Sequence, residues 1–111
     1  MRPAIGYKIL TAAQFTVLRA GNFTGAPVDM ADGYIHLSTA GQLAETVRKH
    51  FTGQTDLVVA AVDLATLGNA VKWEISRGGA EFPHLYGTLT MAHVTAYGPV
   101  VWAGDEIVLP T

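Results

Sequence analysis

The spacing of apolar positions changes several times along the chain, and each change predicts an element. Ile5-Gly6-Tyr7-Lys8-Ile9-Leu10 alternates closely enough for a strand. Thr11 follows as an N-cap whose hydroxyl can accept from the third helical N–H while Gln14 reaches back. Phe15, Leu18 and the aliphatic stem of Arg19 share one side of that helix, and Gly21 offers the positive φ that stops it. Residues 21–33 hold three glycines, a proline and two aspartates, and read as a loop. Tyr34 to Leu37 form a second short strand. Ser38 and Thr39 open the next helix, with Gln42 placed to complete another capping box. There Leu43, Val47 and Phe51 recur on one face, while Glu45, Arg48 and Lys49 fall on the wet side and Gly53 closes the helix.

The run from Asp56 to Asp63 is apolar throughout its interior, which suits a strand buried on both faces. Asp63 can cap a single turn ending at Leu67 and Gly68. Val71 to Ile75 alternates, with Val71, Trp73 and Ile75 facing one way and Lys72 and Glu74 the other. Arg77-Gly78-Gly79 is a turn. Phe82 to Gly87 is extended, because Pro83 disfavours helix at the residue before it. His93 to Tyr97 supplies another strand, with Pro99 as punctuation, and Asp105 to Leu109 an edge strand. The sum is an α+β fold, residues 1–111 forming a single domain of small mixed or antiparallel sheets with two main helices.

Composition narrows the function classes. A chain of 111 residues fits one domain. Hydrophobic residues make up 50% and charged residues 14%, which excludes a disordered chain. So few ionic groups imply that part of the surface is covered, by a ligand cleft or by a second copy of the chain in a homodimer. The net charge of −2 argues against dedicated nucleic-acid binding but leaves room for a local phosphate or nucleotide site. The absence of cysteine excludes disulfides, thiol nucleophiles and thiolate metal sites. The longest apolar stretch, Leu57 to Val62, is far too short to span a membrane. The N-terminal residues lack a signal-peptide core, so a cytoplasmic protein is expected.

Polar side chains concentrate in four strings: Tyr7-Lys8, Gly33 to Thr39, Lys72-Trp73-Glu74, and Phe82 to Gly87. Strand parity puts Tyr34, His36 and Ser38 on one face, just before a helix N-terminus whose free N–H groups favour an anion. The plainer alternative has Ser38 or Thr39 only capping the helix and His36 at a sheet edge. Glu74 can accept from a ribose hydroxyl or stabilise a cation if it faces a cleft; in water it pairs with Lys72 or Arg77. His84 and Tyr86 share a side, and Gly87 allows close backbone approach, an arrangement suited to a planar ring. His50 and His93 read as structural or exposed. His36, His84 and Glu74 would make a two-histidine, one-carboxylate metal set, but they lack close ligand spacing, so no metal is expected. No Gly-x-Ser-x-Gly elbow activates Ser38, and neither a Gly-x-Gly-x-x-Gly string nor a P-loop is present.

Taken together, the Tyr-Lys-Ile strand, Asp32-Gly-Tyr-Ile-His-Leu-Ser-Thr-Ala-Gly-Gln42, the Trp73-Glu74 pair and Phe82-Pro-His-Leu-Tyr-Gly87 resemble a small bacterial family. That family is known as domain of unknown function 952 (DUF952). It looks related in fold to the ADP-ribosyltransferase group, whose members bind NAD in a cleft between two small antiparallel sheets. Gly33 to Ala44 is similar to the group's second motif, a strand followed by Ser or Thr and a helix. Where its first motif has histidine or arginine, this chain has Tyr7-Lys8. Glu74 or Glu81 is the candidate for the late glutamate of its third motif, and neither sits in a Gln/Glu-x-Glu string. The resemblance implies an ADP-ribosyltransferase-like cleft, with NAD as a substrate of an ADP-ribosyl or related transferase. His36, Glu74 and His84 would then be catalytic, and Tyr7, Lys8, Tyr34, Ser38, Thr39 and Tyr86 would bind substrate. The alternative is a non-catalytic ligand-binding or homo-oligomeric module.

Overall fold

A computed structural model describes residues 2–21 and 23–111, and for Arg77 the backbone only. Met1, and Asn22 within the segment read as a loop, lie outside the described residues. Strand β1 (Ile5–Leu10) ends at the expected cap. Thr11 Oγ1 accepts from Gln14 N–H at 3.1 Å, and Thr11 N–H donates to Gln14 Oε1 at 3.0 Å. The capped helix, α1 (Ala12–Arg19), sinks Leu18 into the core and leaves Phe15 half-buried. Strand β3 (Val58–Asp63) is the apolar run, and Val59 to Val62 are buried. It lies between β1 and β6 (Val94–Pro99), antiparallel to both. Asp63 Oδ1 then accepts from Ala65 N–H and caps the short helix α4 (Leu64–Leu67).

The second sheet has the order β2-β5-β4, built from β2 (Ile35–His36), β5 (Glu81–Leu85) and β4 (Val71–Ile75), again antiparallel. Pro83 sits in its central strand, a position that usually needs a backbone donor. Its carbonyl accepts from Leu37 N–H, so the missing N–H falls on the side where β2 has already ended. A paired bridge joins the sheets: Tyr7 N–H donates to Ser38 O at 2.8 Å, and Ser38 N–H returns to Tyr7 O at 2.9 Å. This bridge brings the end of β2 against β1. A final hairpin joins β7 (Trp102–Ala103) to β8 (Glu106–Ile107).

Because β3 is buried on both sides, it serves two cores. Ala60 and Val62 join Leu10, Leu18, Ile35, Leu37 and Leu85, while Val59 and Ala61 join Tyr7, Ile9, Leu43 and Val47. Alanine at positions 60 and 61 matters, since Ala60 pairs with Lys8 and Ala61 with Tyr7. Small residues there leave space for the two long side chains opposite.

Two expectations need correction. Residues 21–33 are not all loop: Pro27–Asp32 form helix α2, with proline in the first turn and Gly33 left-handed at its end. The helix after Thr39 begins with a 3₁₀ turn, Ala40–Gln42, before α3 (Leu43–His50). Ile75 is exposed, because it ends an edge strand that has passed the core. Among the described residues no helix is long and apolar enough to cross a membrane.

Leu85 is fully buried where the second sheet meets the first core. Leu85→Ala should therefore cost about 2–5 kcal/mol in urea unfolding. A loss near zero would contradict this packing.

Candidate functional site

The register of the second sheet brings the histidines together. His36 pairs with His84 across β2–β5, and His84 with Lys72 across β5–β4. Directly opposed residues share a face. One face therefore carries His36, His84, Lys72, Glu74 and Phe82, while Ile35, Leu85 and Val71 turn into the core. The two imidazole centroids are 5.5 Å apart, edge to face. The Tyr34 ring stacks on His84 at 4.1 Å and leans on His36 at 4.6 Å and Tyr86 at 5.2 Å.

Each histidine is held at Nδ1 by a carboxylate. For His36 the carboxylate is Asp29, 2% exposed, on the inner side of α2. Asp29 Oδ1 lies 2.7 Å from His36 Nδ1 and accepts from His36 N–H at 3.0 Å. Asp29 Oδ2 accepts from Ala26 N–H at 2.8 Å and from the buried Lys8 ammonium at 2.9 Å. Lys8 also donates to His36 O. Burial by itself would raise the Asp29 carboxyl. The His36 ring, the Lys8 charge and the two backbone N–H groups outweigh it and bring the carboxyl down to about 2. Burial pushes the Lys8 ammonium down, against the opposing pull of Asp29. On its other edge, His36 Nε2 lies 3.0 Å from Asp32 Oδ2. Both ring contacts are hydrogen bonds only when both nitrogens carry hydrogen, because a carboxylate only accepts.

For His84 the carboxylate is Glu74, whose Oε1 lies 2.7 Å from Nδ1 and also accepts from Tyr86 O–H at 2.8 Å. Those two hydrogen bonds, from His84 first and Tyr86 second, hold the Glu74 carboxyl below its usual range. The bond to Glu74 raises the Tyr86 phenol. His84 is 3% exposed, whereas Glu74 and Tyr86 stand partly in solvent.

Both imidazoles line a cavity of about 560 Å³. Its wall includes Tyr7, Lys8 and Ile9 from β1, Pro27 and Val28 from α2, Thr46 and His50 from α3, and Ser38 and Phe82.

Residues 9–97 match the family described as Protein of unknown function (DUF952). This chain belongs to the DUF952 family. The crystal structure of protein CC0527 from Caulobacter crescentus is similar at 44% identity and a TM-score of 0.84, covering 96% of this chain and 93% of that one. The solution NMR structure of CC0527 is similar at 44% identity and a TM-score of 0.78, covering 95% and 91%. A search of curated proteins finds no match.

In this DUF952 chain, His36, His84, Glu74, Tyr34 and Tyr86 meet in one cluster. His36, His84, Tyr7, Lys8 and Ser38 reach the cavity wall. Glu74 and Tyr86 stand behind His84, outside that wall. Ser38 Oγ meets Thr46 Oγ1 at 3.0 Å. Thr39 is off the wall, and its N–H donates to Gln42 Oε1. The Arg77 side chain, one alternative partner of Glu74, lies outside what is described. Among the described residues, no three histidine or carboxylate side chains are grouped to hold a metal ion. Sequence reasoning missed Asp29, Asp32, Thr46 and His50. Of these, Asp29 carried a readable signal: it stands two residues after Pro27 and four before Gly33, inside helix start and stop marks.

The Asp29 shift fixes a pH dependence. Its folded value, about 2, lies below the ordinary 3.8, so its contribution is present above about pH 4 and is lost as pH falls through 2. That contribution is about 2 kcal/mol. Asp29→Asn leaves Lys8 buried without its counter-charge and should cost about 3–5 kcal/mol at neutral pH. It should also flatten the acid limb of a urea-unfolding series. A variant within about 0.5 kcal/mol of wild type would contradict this account.

Proposed function

We propose that this DUF952 protein binds a nucleotide-like or other anionic small molecule in the cavity beside His36 and His84. One observation carries the reading: two imidazoles, each fixed at Nδ1 by a carboxylate, converge on one cavity of about 560 Å³. That volume lies within the roughly 300–1,000 Å³ typical of small-molecule sites. The wall combines apolar surface from Ile9, Val28 and Phe82 with the hydroxyls of Ser38 and Thr46 and the ring of His50. Asp32 is half exposed at the rim, and a ligand anion would replace it at His36 Nε2.

The catalytic form of this reading is an NAD-dependent ADP-ribosyl or related transferase, with NAD as its substrate. Two small antiparallel sheets bearing the cavity, and the likeness of Gly33 to Ala44 to the second motif of that group, support it. In this form Glu74 orients His84 from behind rather than touching the ribose. Calorimetry and thermal shift with NAD and ADP-ribose test the proposal. Saturable binding is expected, weakened at least about tenfold by His36→Ala. No binding of either compound at millimolar concentration would remove it. Binding without release of nicotinamide from NAD would leave a non-catalytic module.

A homodimer is a second reading, favoured by Val101, Trp102, Val108 and Leu109, all exposed around the β7–β8 hairpin. Sedimentation at high concentration should then give twice the monomer mass, and a monomer would remove that reading.

A further inference from the structure

The two histidines differ in what they offer a ligand. Both nitrogens of His36 face carboxylate oxygens, which only accept, so each edge of its ring already has a fixed neighbour. His84 meets one carboxylate, through Nδ1 alone. Glu74 is an acceptor, and its Oε1 already takes the Tyr86 hydroxyl hydrogen. Nδ1 of His84 must therefore carry hydrogen, and in the neutral ring the lone pair is on Nε2.

Burial indicates where that lone pair points. His84 is 3% exposed and lines the cavity, whereas Glu74 lies outside the wall. Among the described residues no group bonds Nε2, and no fully buried side-chain nitrogen or oxygen lacks a partner. Nε2 thus reaches the open space of the cavity. A bare anion placed there would set lone pair against negative charge.

We infer that the cavity takes a hydroxyl-bearing ligand whose O–H donates to His84 Nε2, with Glu74 as the positioning residue that fixes the ring tautomer. This inference rests on the cavity being a ligand site, and it narrows the ligand class from anions in general to compounds with a sugar-type hydroxyl. Glu74 and Tyr86 act only through the ring. Once a ligand displaces water from Nε2, leaving it without a donor is costly, so an analogue lacking the hydroxyl should be rejected.

Two measurements test this. Long-range ¹H–¹⁵N spectra of the labelled protein in mildly alkaline buffer should show His84 as the Nδ1–H tautomer, the minority form of free histidine. In Glu74→Leu, a change at a partly exposed position, the ring should revert to Nε2–H. An Nε2–H tautomer in the wild type would overturn the inference. Calorimetry should then show AMP binding at least about tenfold more tightly than 2′,3′-dideoxy-AMP, with the preference lost in Glu74→Leu. Equal binding of the two nucleotides would overturn the hydroxyl assignment and leave the cavity reading standing. Failure of both to bind would remove the cavity reading, and this inference with it.

Discussion

A buried carboxylate organises this molecule. Asp29 neutralises Lys8 from β1, closes the start of α2 through Ala26 N–H, and receives both the backbone N–H and the ring of His36. Strand β1 is thereby tied to helix α2 and strand β2 at one side chain with 2% exposure. A buried charge is tolerated only when its partners are nearly complete, and here both oxygens are fully used. The consequence for chemistry is orientation. The His36 ring cannot turn without leaving Asp29 short of a donor, so its Nε2 edge is aimed at the cavity rim.

Glu74 repeats the device at the neighbouring strand with a different setting. It is partly exposed, shared with Tyr86, and contacts only one edge of His84. Two imidazoles 5.5 Å apart thus have unlike surroundings, His36 flanked by carboxylates on both edges and His84 on one. Tyr34 stacks on one and leans on the other, limiting the motion of both rings. On the proposed reading this contrast leaves the Nε2 edge of His84 to the ligand.

What the sequence disclosed depended on range. Thr11 with Gln14, Asp63 with its turn, and the run through Val62 are local patterns, and they fold as such. Strand parity put His36 and Tyr34 on one face, and His84 with Tyr86. That these two sets meet is a matter of register, fixed by His36 opposite His84 and by the Tyr7–Ser38 bridge, which no local pattern encodes. Helix α2 was hidden for a sharper reason. It buries its aspartate and exposes Val28 and Met30, the inverse of the pattern that marks a helix against a core. Lys8 was legible as part of a polar string, but its partner lay inside the segment read as loop.

The most direct measurement is a chemical-shift map of wild type and Asp29→Asn on addition of ADP-ribose. The account predicts wild-type perturbations centred on His36, Ser38, Thr46 and His84, and their loss in Asp29→Asn at a temperature where the variant remains folded. Perturbations on another face, or an unchanged map in the variant, would contradict it.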